Sequence, residues 1–262
     1  MIYLEIGLGS ERVSAYDRRV FLWDSRSCSG GYVSGLIARL IDGPCEVKLR
    51  RTVPVGLRVD AVRCEGGVRL EARDAVLAEA SPTIVDVEPP PVVPSWHEAE
   101  DARRCWRRVD AHPFPNCIGC GPQRKHGEGL RIFPGPVEGR DLVASAWRPD
   151  PAFGVGDGTL AVEFVWTALD CPAWWALLFC GPPDRQQRAL TGSIAVDIRS
   201  PVTSAQRLIV LGWPLGHDDR KVLAGAGIFS VEGEPLALSK QTCVLTESGV
   251  PLGPPAWHRK DV

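Results

Sequence analysis

The order of predicted elements repeats along this chain, and this repeat limits the fold more than any other feature. A helical segment at about 31–42 is followed, within 45–84, by four alternating runs rich in β-branched residues. A second helical segment at 159–180 is followed by four more such runs within 190–246. Runs in which apolar and polar residues alternate, separated by turns that contain glycine, predict antiparallel strands. Each half also offers a strand before its helix: RRVFLWD (18–24) in the first and RDLVASAWRPD (140–150) in the second. The pattern of strand, helix and antiparallel strands, found twice, predicts an internal repeat.

Between the two repeats lies a segment whose composition interrupts regular structure. VEPPPVVPSW at 87–96 contains four prolines, which remove backbone donors and disfavour both helix and sheet. The charged run at 97–110 is suited to a short helix, and the Pro/Gly-rich run at 112–129 to a loop. The predicted organisation is an N-terminal repeat (1–86), a Pro/Gly/Cys-rich linker (87–128), a C-terminal repeat (129–250) and a tail (251–262).

Composition argues against several classes of protein. Lys and Arg total 30 and Asp and Glu total 32, a formal charge of −2, without the basic stripe that nucleic-acid binding needs. No signal peptide is visible, and no apolar run reaches the roughly 20 residues of a membrane helix. The nine cysteines are scattered through apolar segments, which is typical of buried, reduced thiols in a cytoplasmic protein. Only five basic residues are lysines, an arginine bias typical of GC-rich bacterial genomes.

The two predicted helices differ in the functional groups they carry. SCSGGYVSGLIARL (27–40) starts its helix on Gly30 and Gly31 and has no acidic residue. GTLAVEFVWTALDCPAWWAL (158–177) has no glycine pair near its start, but Asp170 interrupts its apolar run. A helix N-terminus presents unpaired N–H groups and a partial positive charge, and glycine lets a carbonyl group approach closely. The first helix is therefore a candidate oxyanion site, and the second a candidate source of an acid.

The element order resembles the hotdog fold, in which a curved antiparallel sheet wraps one long central helix. Two copies in one chain are similar to the double-hotdog acyl-CoA thioesterases. The resemblance implies an α+β protein of two tandem hotdog repeats that form a pseudo-dimer, with their sheets joined edge to edge. It also implies further pairing into a homodimer, an acyl thioester as the small-molecule partner, and no cofactor apart from the coenzyme A of the substrate.

The start of the first helix resembles the motif of phenylacetate-pathway-type thioesterases, G-x-V-H-G-G with an acid seven residues after the second glycine. In such enzymes the glycine amides polarise the thioester carbonyl, and an acid from the other subunit acts as base or nucleophile. The first half keeps the glycines, with Ser29 in place of the histidine, but has Ala38 at the acid position. The second half has Asp170 at the acid position and Val162–Glu163 in place of the glycines. The resemblance implies one composite catalytic site, in which the glycine pair faces Asp170, and an inactive mirror site.

Several neighbours of this composite site are candidate substrate contacts. Ser29 precedes the glycines, and Trp166 and Trp174 flank Asp170, where they would desolvate the carboxylate and raise its pKa. Arg188, after the second helix, is a candidate contact for the phosphates of coenzyme A. Structural roles are the alternatives: Asp170 as a turn residue, the glycines as a plain helix start capped by Ser29, and Arg188 as a solvated side chain.

The linker contains four metal-ligating side chains in the order His112-x4-Cys117-x2-Cys120-x5-His126. A Cys-x2-Cys pair with flanking histidines can satisfy tetrahedral zinc. A strong zinc motif would contain two such pairs, so a reduced cysteine pair that packs the loop is the alternative. Zinc at these four residues is therefore one of two expectations.

The predicted function is hydrolysis of an acyl thioester of coenzyme A or of an acyl-carrier protein. A non-catalytic hotdog protein that binds an acyl group or coenzyme A is the alternative. Turnover of thioester substrates distinguishes the two, because the alternative predicts saturable binding without hydrolysis.

Overall fold

The computed structural model describes residues 4–8, 11–15, 27–53, 58–72, 75–106, 112, 114–181 and 189–245. Within these ranges there are three α-helices, α1 (Gly30–Ala38), α2 (Trp96–Trp106) and α3 (Val162–Cys180). The strands are β1 (Leu4–Leu8), β2 (Glu11–Ala15), β3 (Cys45–Leu49), β4 (Arg58–Cys64), β5 (Gly67–Ala72), β6 (Ala75–Pro82), β7 (Gly135–Pro136), β8 (Val143–Trp147), β9 (Ala189–Ile198), β10 (Leu208–Asp218), β11 (Lys221–Ser230) and β12 (Pro235–Leu245).

All of these strands belong to one sheet, in the order β2-β1-β4-β5-β6-β3-β9-β12-β11-β10-β8-β7. Neighbouring strands are antiparallel, apart from β1 and β4, which are parallel. The strands of the first half meet those of the second where β3 pairs with β9, with Cys45 opposite Val196 and Lys48 opposite Ser193. The two predicted sets of strands therefore form one continuous sheet.

α1 and α3 pack against each other and against the sheet, α1 on β3 and α3 on β10 and β11. Gly31 and Gly35, one turn apart on α1, form the contact with α3. A Cβ atom at Gly31 would lie 2.6 Å from Asp170 Cβ, and one at Gly35 would lie 2.4 Å from Glu163 Cα. The two helices can approach this closely only because both positions lack a side chain.

Both long predicted helices are confirmed, and each is shorter than the segment that predicted it. α1 gives way to a turn in which Gly43 adopts a φ of +77°, a conformation suited to glycine. α3 begins only at Val162 because the Leu160 N–H donates to Val202 O at 2.8 Å and keeps the preceding residues extended. None of the helices in the described ranges has the length and apolar character needed to cross a membrane.

The eight strands predicted after the two helices are confirmed as β3–β6 and β9–β12, and β8 lies within RDLVASAWRPD. β1 and β2 lie where the sequence predicted no strand, while the strand predicted at 18–24 lies outside the described residues. The charged run after the prolines forms α2, whose buried Ala99 and Ala102 pack near β8. This part of the predicted linker therefore belongs to the folded body.

The close crossing of α1 and α3 predicts that Gly35 cannot be replaced. Gly35→Ala should lower the free energy of unfolding by about 2 kcal/mol or more, because the added methyl group overlaps the Glu163 backbone and forces the helices apart. Chemical denaturation followed by circular dichroism measures the change. Gly156→Ala is the matched control, since a Cβ there meets nothing within 4 Å. Equal stability of the two variants would contradict the close crossing.

Candidate active site

The N-terminus of α1 meets the side chain of Asp170 from α3. The Gly31 N–H donates to Asp170 Oδ2 at 2.9 Å, although 139 positions separate the two residues. Ser29 stands at the N-cap of α1, but its side chain makes no capping hydrogen bond. Asp170 therefore accepts from a backbone donor that a local cap usually satisfies. The Gly30 N–H has no acceptor among the described residues, as is common for the first N–H groups of a helix.

A second donor fixes the Asp170 carboxylate from the side of the sheet. Thr191 Oγ1, in β9, donates to Asp170 Oδ1 at 3.1 Å. Each carboxylate oxygen thus accepts one hydrogen bond from the protein and keeps capacity for another. Burial raises the pKa of Asp170 to about 6, although the Gly31 N–H and the Thr191 hydroxyl both favour the ionised form. A partly buried carboxylate with a raised pKa is a stronger base than a fully solvated one.

Asp170 lies on the wall of a mainly apolar cavity of about 300 Å³. Phe114, Trp174 and the N-terminus of α1 form other parts of the wall, and the exposed Arg50 and Arg51 lie at its rim. This volume is at the lower end of the range for ligand pockets, about 300–1,000 Å³. A ligand in the cavity would therefore contact the carboxylate and the start of α1 at the same time.

The start of α3 differs from the start of α1 in the residues that surround it. Ala38 of α1, which the sequence comparison placed at the second acid position, is buried and carries no functional group. Glu163, in the first turn of α3, pairs instead with Arg39, whose Nη1 is 3.6 Å from Glu163 Oε1. The second carboxylate oxygen, Glu163 Oε2, is buried without a hydrogen-bond partner among the described residues. This place therefore lacks both a glycine start and an acid donated by the opposite helix.

The structure brings some of the predicted site residues together and separates others. Ser29, Gly30 and Trp174 line the cavity beside the carboxylate. Trp166 is only 2% exposed, lies in the core against α1 and does not line the cavity. Arg188 lies outside the described residues. Asp170 itself lies within α3, which continues through Pro172 to Cys180, so it is not a turn residue.

The predicted metal-ligating residues also separate into two groups. His112, Cys117 and Cys120 line the same cavity as Asp170, whereas His126 lines a different cavity. The predicted set of four is therefore wrong as a cluster, because the loop carries His126 away from the cysteine pair. Cys171 of α3 joins Cys117 and Cys120 instead. Cys171 is far from the cysteine pair in the sequence, so no short motif connected the three residues.

Two polar side chains beside Asp170 were missed by the sequence analysis. One is Thr191, which donates to its carboxylate. The other is Gln241 in β12, a fully buried residue whose Nε2 donates to Leu169 O at 2.7 Å. Its Oε1 has no hydrogen-bond partner among the described residues. Gln241 stands in the polar run 239–242, so no signal in the sequence indicated that its side chain is buried beneath a helix.

Comparison with known proteins identifies the fold. No family profile and no curated protein sequence matches this chain. A tesB protein of Mycobacterium avium subsp. paratuberculosis matches with a TM-score of 0.50 at 16% identity, over 84% of this chain and 88% of that chain. A protein of Thermobifida fusca described as a thioesterase II matches at 0.50 and 14% identity, over 86% and 90%. A hotdog-fold protein of unknown function from Alicyclobacillus acidocaldarius matches at 0.50 and 13% identity, over 88% and 90%. The chain therefore has the hotdog fold, and its predicted resemblance to hotdog thioesterases is confirmed at the level of fold.

The unpartnered amide oxygen of Gln241 predicts an unusual response to substitution. Gln241→Met should leave the free energy of unfolding within about 1 kcal/mol of the original, because the lost hydrogen bond is offset by removal of a buried, unsatisfied oxygen. Thermal and urea denaturation measure the difference. A loss of several kcal/mol would instead identify Gln241 as a residue kept for stability alone.

Proposed function

We propose that this protein hydrolyses an acyl thioester of coenzyme A or of an acyl-carrier protein at one composite site. The observation that carries this proposal is the Asp170 carboxylate, which is held against the N-terminal N–H groups of α1 on the wall of an apolar cavity. Helix-terminal amides suit an oxyanion, and a buried carboxylate suits a base. The hotdog fold of the thioesterases to which the chain is similar supports the same reaction class.

In the proposed reaction, Asp170 acts as a general base. Its carboxylate accepts a proton from a water molecule while the water oxygen adds to the thioester carbonyl carbon. The tetrahedral intermediate then collapses, the carbon–sulfur bond breaks, and the protonated Asp170 returns the proton to the departing thiolate. The products are a carboxylic acid and a free thiol, and the enzyme is unchanged. The hydrogen bonds from Gly31 and Thr191 hold the carboxylate plane in place throughout.

The negative charge that develops on the carbonyl oxygen requires a donor of its own. The Gly31 N–H already binds Asp170, so the Gly30 N–H at the cavity wall is the donor assigned to the oxyanion. A Cβ atom at Gly30 would lie 3.8 Å from Asp170 Oδ2, so this position is adjacent to the base. A preorganised donor of this kind contributes about 3–4 kcal/mol to transition-state stabilisation in measured cases.

The cavity and its rim support the proposed substrate class. The acyl group would occupy the apolar cavity beside Phe114 and Trp174, and the phosphates of the carrier group would meet the arginines at the rim, Arg50 and Arg51. Arg188 remains a proposed phosphate contact as well. A protein that binds such esters without hydrolysing them is the second candidate, because Ser29 stands where the related motif has histidine.

The whole chain is proposed to be two tandem hotdog repeats that form a pseudo-dimer. The continuous sheet through β3 and β9, with one long helix contributed by each half, supports this arrangement. In it, one helix supplies the amides and the other the acid, so only one of two related places is complete. Pairing of two such chains into a homodimer, and a cytoplasmic location, are part of the same proposal.

The proposed base predicts the effect of removing one carboxylate charge. Asp170→Asn should lower kcat by roughly 10²–10⁴-fold, because the amide keeps the shape of the side chain but cannot accept the proton of water. Hydrolysis of short-, medium- and long-chain acyl-CoA esters, followed by thiol release, measures the rate. Glu163→Gln is the matched control, a second acid on the same helix at the mirror place, and should retain the rate.

Two outcomes would contradict this assignment. A full rate in Asp170→Asn, with the fold intact by circular dichroism, would remove Asp170 from the chemistry. Saturable binding of acyl-CoA esters by the unsubstituted protein, without turnover on any chain length, would establish the binding protein instead.

The Thr191 hydroxyl predicts a smaller and separable effect. Thr191→Val should lower kcat about 10–100-fold, because it removes one hydrogen bond to a charged group worth roughly 1.5–3 kcal/mol. Thr191→Ser keeps the hydroxyl and should restore most of the rate. A Ser variant that loses as much activity as the Val variant would contradict this role, because serine keeps the hydroxyl.

A further inference from the structure

Three cysteine thiols from two distant parts of the chain meet at the wall of the cavity. Cys117 and Cys120 come from the loop between α2 and β7, and Cys171 comes from α3. Their three Sγ atoms all lie within 4.8 Å of one another, and Cys117 Sγ is 3.6 Å from Cys171 Sγ. All three side chains are buried. Within the described residues, no other three His, Cys, Asp or Glu side chains come together in this way.

The sulfur separations suit a shared metal ion better than a disulfide. With zinc–sulfur bonds of about 2.3 Å in a tetrahedral site, two thiolate ligands of one ion lie about 3.8 Å apart. The 3.6 Å between Cys117 and Cys171 is close to that value. A disulfide would need the two sulfur atoms about 2.05 Å apart, and it would leave Cys120 as a lone buried thiol.

The loop is shaped to bring its cysteines against α3. A Cβ atom at Gly119 would lie 2.5 Å from Cys171 Sγ, so the middle of the Cys-x2-Cys turn has no room for a side chain. The Gly121 N–H donates to Cys117 O at 2.8 Å and closes the turn. The backbone N–H groups of Gly119 and Cys120 donate to Cys117 Sγ. Backbone donors aimed at a sulfur atom stabilise a thiolate.

Side chains around the cluster supply further donors to Cys120. Trp175 Nε1–H donates to Cys120 Sγ at 3.4 Å. His112 Nδ1 accepts the Phe114 N–H at 2.8 Å, so in the neutral ring the proton is on Nε2, which lies 3.4 Å from Cys120 Sγ. His112 is thus a hydrogen-bond donor to a cluster sulfur in this geometry. It is not a member of the mutually close group of ligands.

Binding by all three sulfur atoms as thiolates would need a cation beside them. Three thiolates cannot be buried side by side without compensation. A soft divalent ion supplies it, and thiolate ligands in tetrahedral arrangement select zinc.

We propose that Cys117, Cys120 and Cys171 bind one zinc ion as thiolates, with the fourth coordination position directed at the cavity and occupied by water. The three side chains line that cavity, which gives water access to the ion. His112 and Trp175 are positioning residues that donate to Cys120. The ion would fasten the loop to α3 one residue beyond Asp170, and so fix one wall of the cavity.

Zinc content of the full chain, purified without an affinity tag, tests the site. We expect about one zinc per chain by elemental mass spectrometry, since three cysteines hold one tetrahedral ion. Cys171→Ser should lose it, and Cys45→Ser, which removes an equally buried thiol elsewhere, should keep it. His112→Ala should keep zinc with about 10–100-fold weaker affinity in competition with a chromophoric chelator.

A second measurement covers the case in which Cys171→Ser fails to fold. Titration of the metal-free, unsubstituted chain with cobalt(II) should give the near-ultraviolet charge-transfer band of cobalt–thiolate bonds, and zinc should displace it. Zinc-free protein that shows no such band, or a Cys117–Cys171 disulfide in peptide mass spectra, would overturn the proposal. Neither measurement uses thioester hydrolysis, so the zinc site can fail or succeed independently of the proposed function.

Discussion

The close crossing of α1 and α3 is the contact on which the rest of the site depends. Gly31 and Gly35 present only backbone to α3, so the helices approach until a Cβ atom on either glycine would overlap the opposite helix. At that separation the Asp170 carboxylate reaches the Gly31 N–H at 2.9 Å. Larger side chains at the two positions would move the carboxylate out of hydrogen-bonding range, and α1 would start without a cap.

The same contact explains how a carboxylate is tolerated in the middle of an apolar helix. An ionised side chain away from water is costly unless donors surround it, and here the helix start and the Thr191 hydroxyl supply two. The compensation is incomplete, because the pKa of Asp170 still rises to about 6. A carboxylate left in this condition beside a cavity is typical of a functional site. Capping α1 and taking a proton from water are compatible roles for one side chain.

Two further parts of the chain surround Asp170. The sheet contributes Thr191 and the buried Gln241 beneath α3, and the loop after α2 brings its cysteine pair against Cys171, the next residue in the helix. A segment that composition marks as a linker is therefore part of the cavity wall. At the other end of the crossing, Glu163 pairs with Arg39. The two ends of the helix pair thus differ in chemistry.

The sequence by itself determined the types and order of the two long helices and of the strands that follow each of them. Apolar alternation predicted β3–β6 and β9–β12, and the apolar runs predicted α1 and α3, because residues in contact with a core must follow the period of their own element. It also marked Gly30, Gly31 and Asp170, which depart from the pattern of their helices. Only the tertiary structure decided that Thr191, Gln241 and Cys171 stand beside them, that Trp166 belongs to the core, and that His126 lies apart from the cysteines. The reason is physical: periodicity records which side of an element is buried, whereas the neighbours of a side chain are set by strand register and helix crossing, which join residues far apart in the chain.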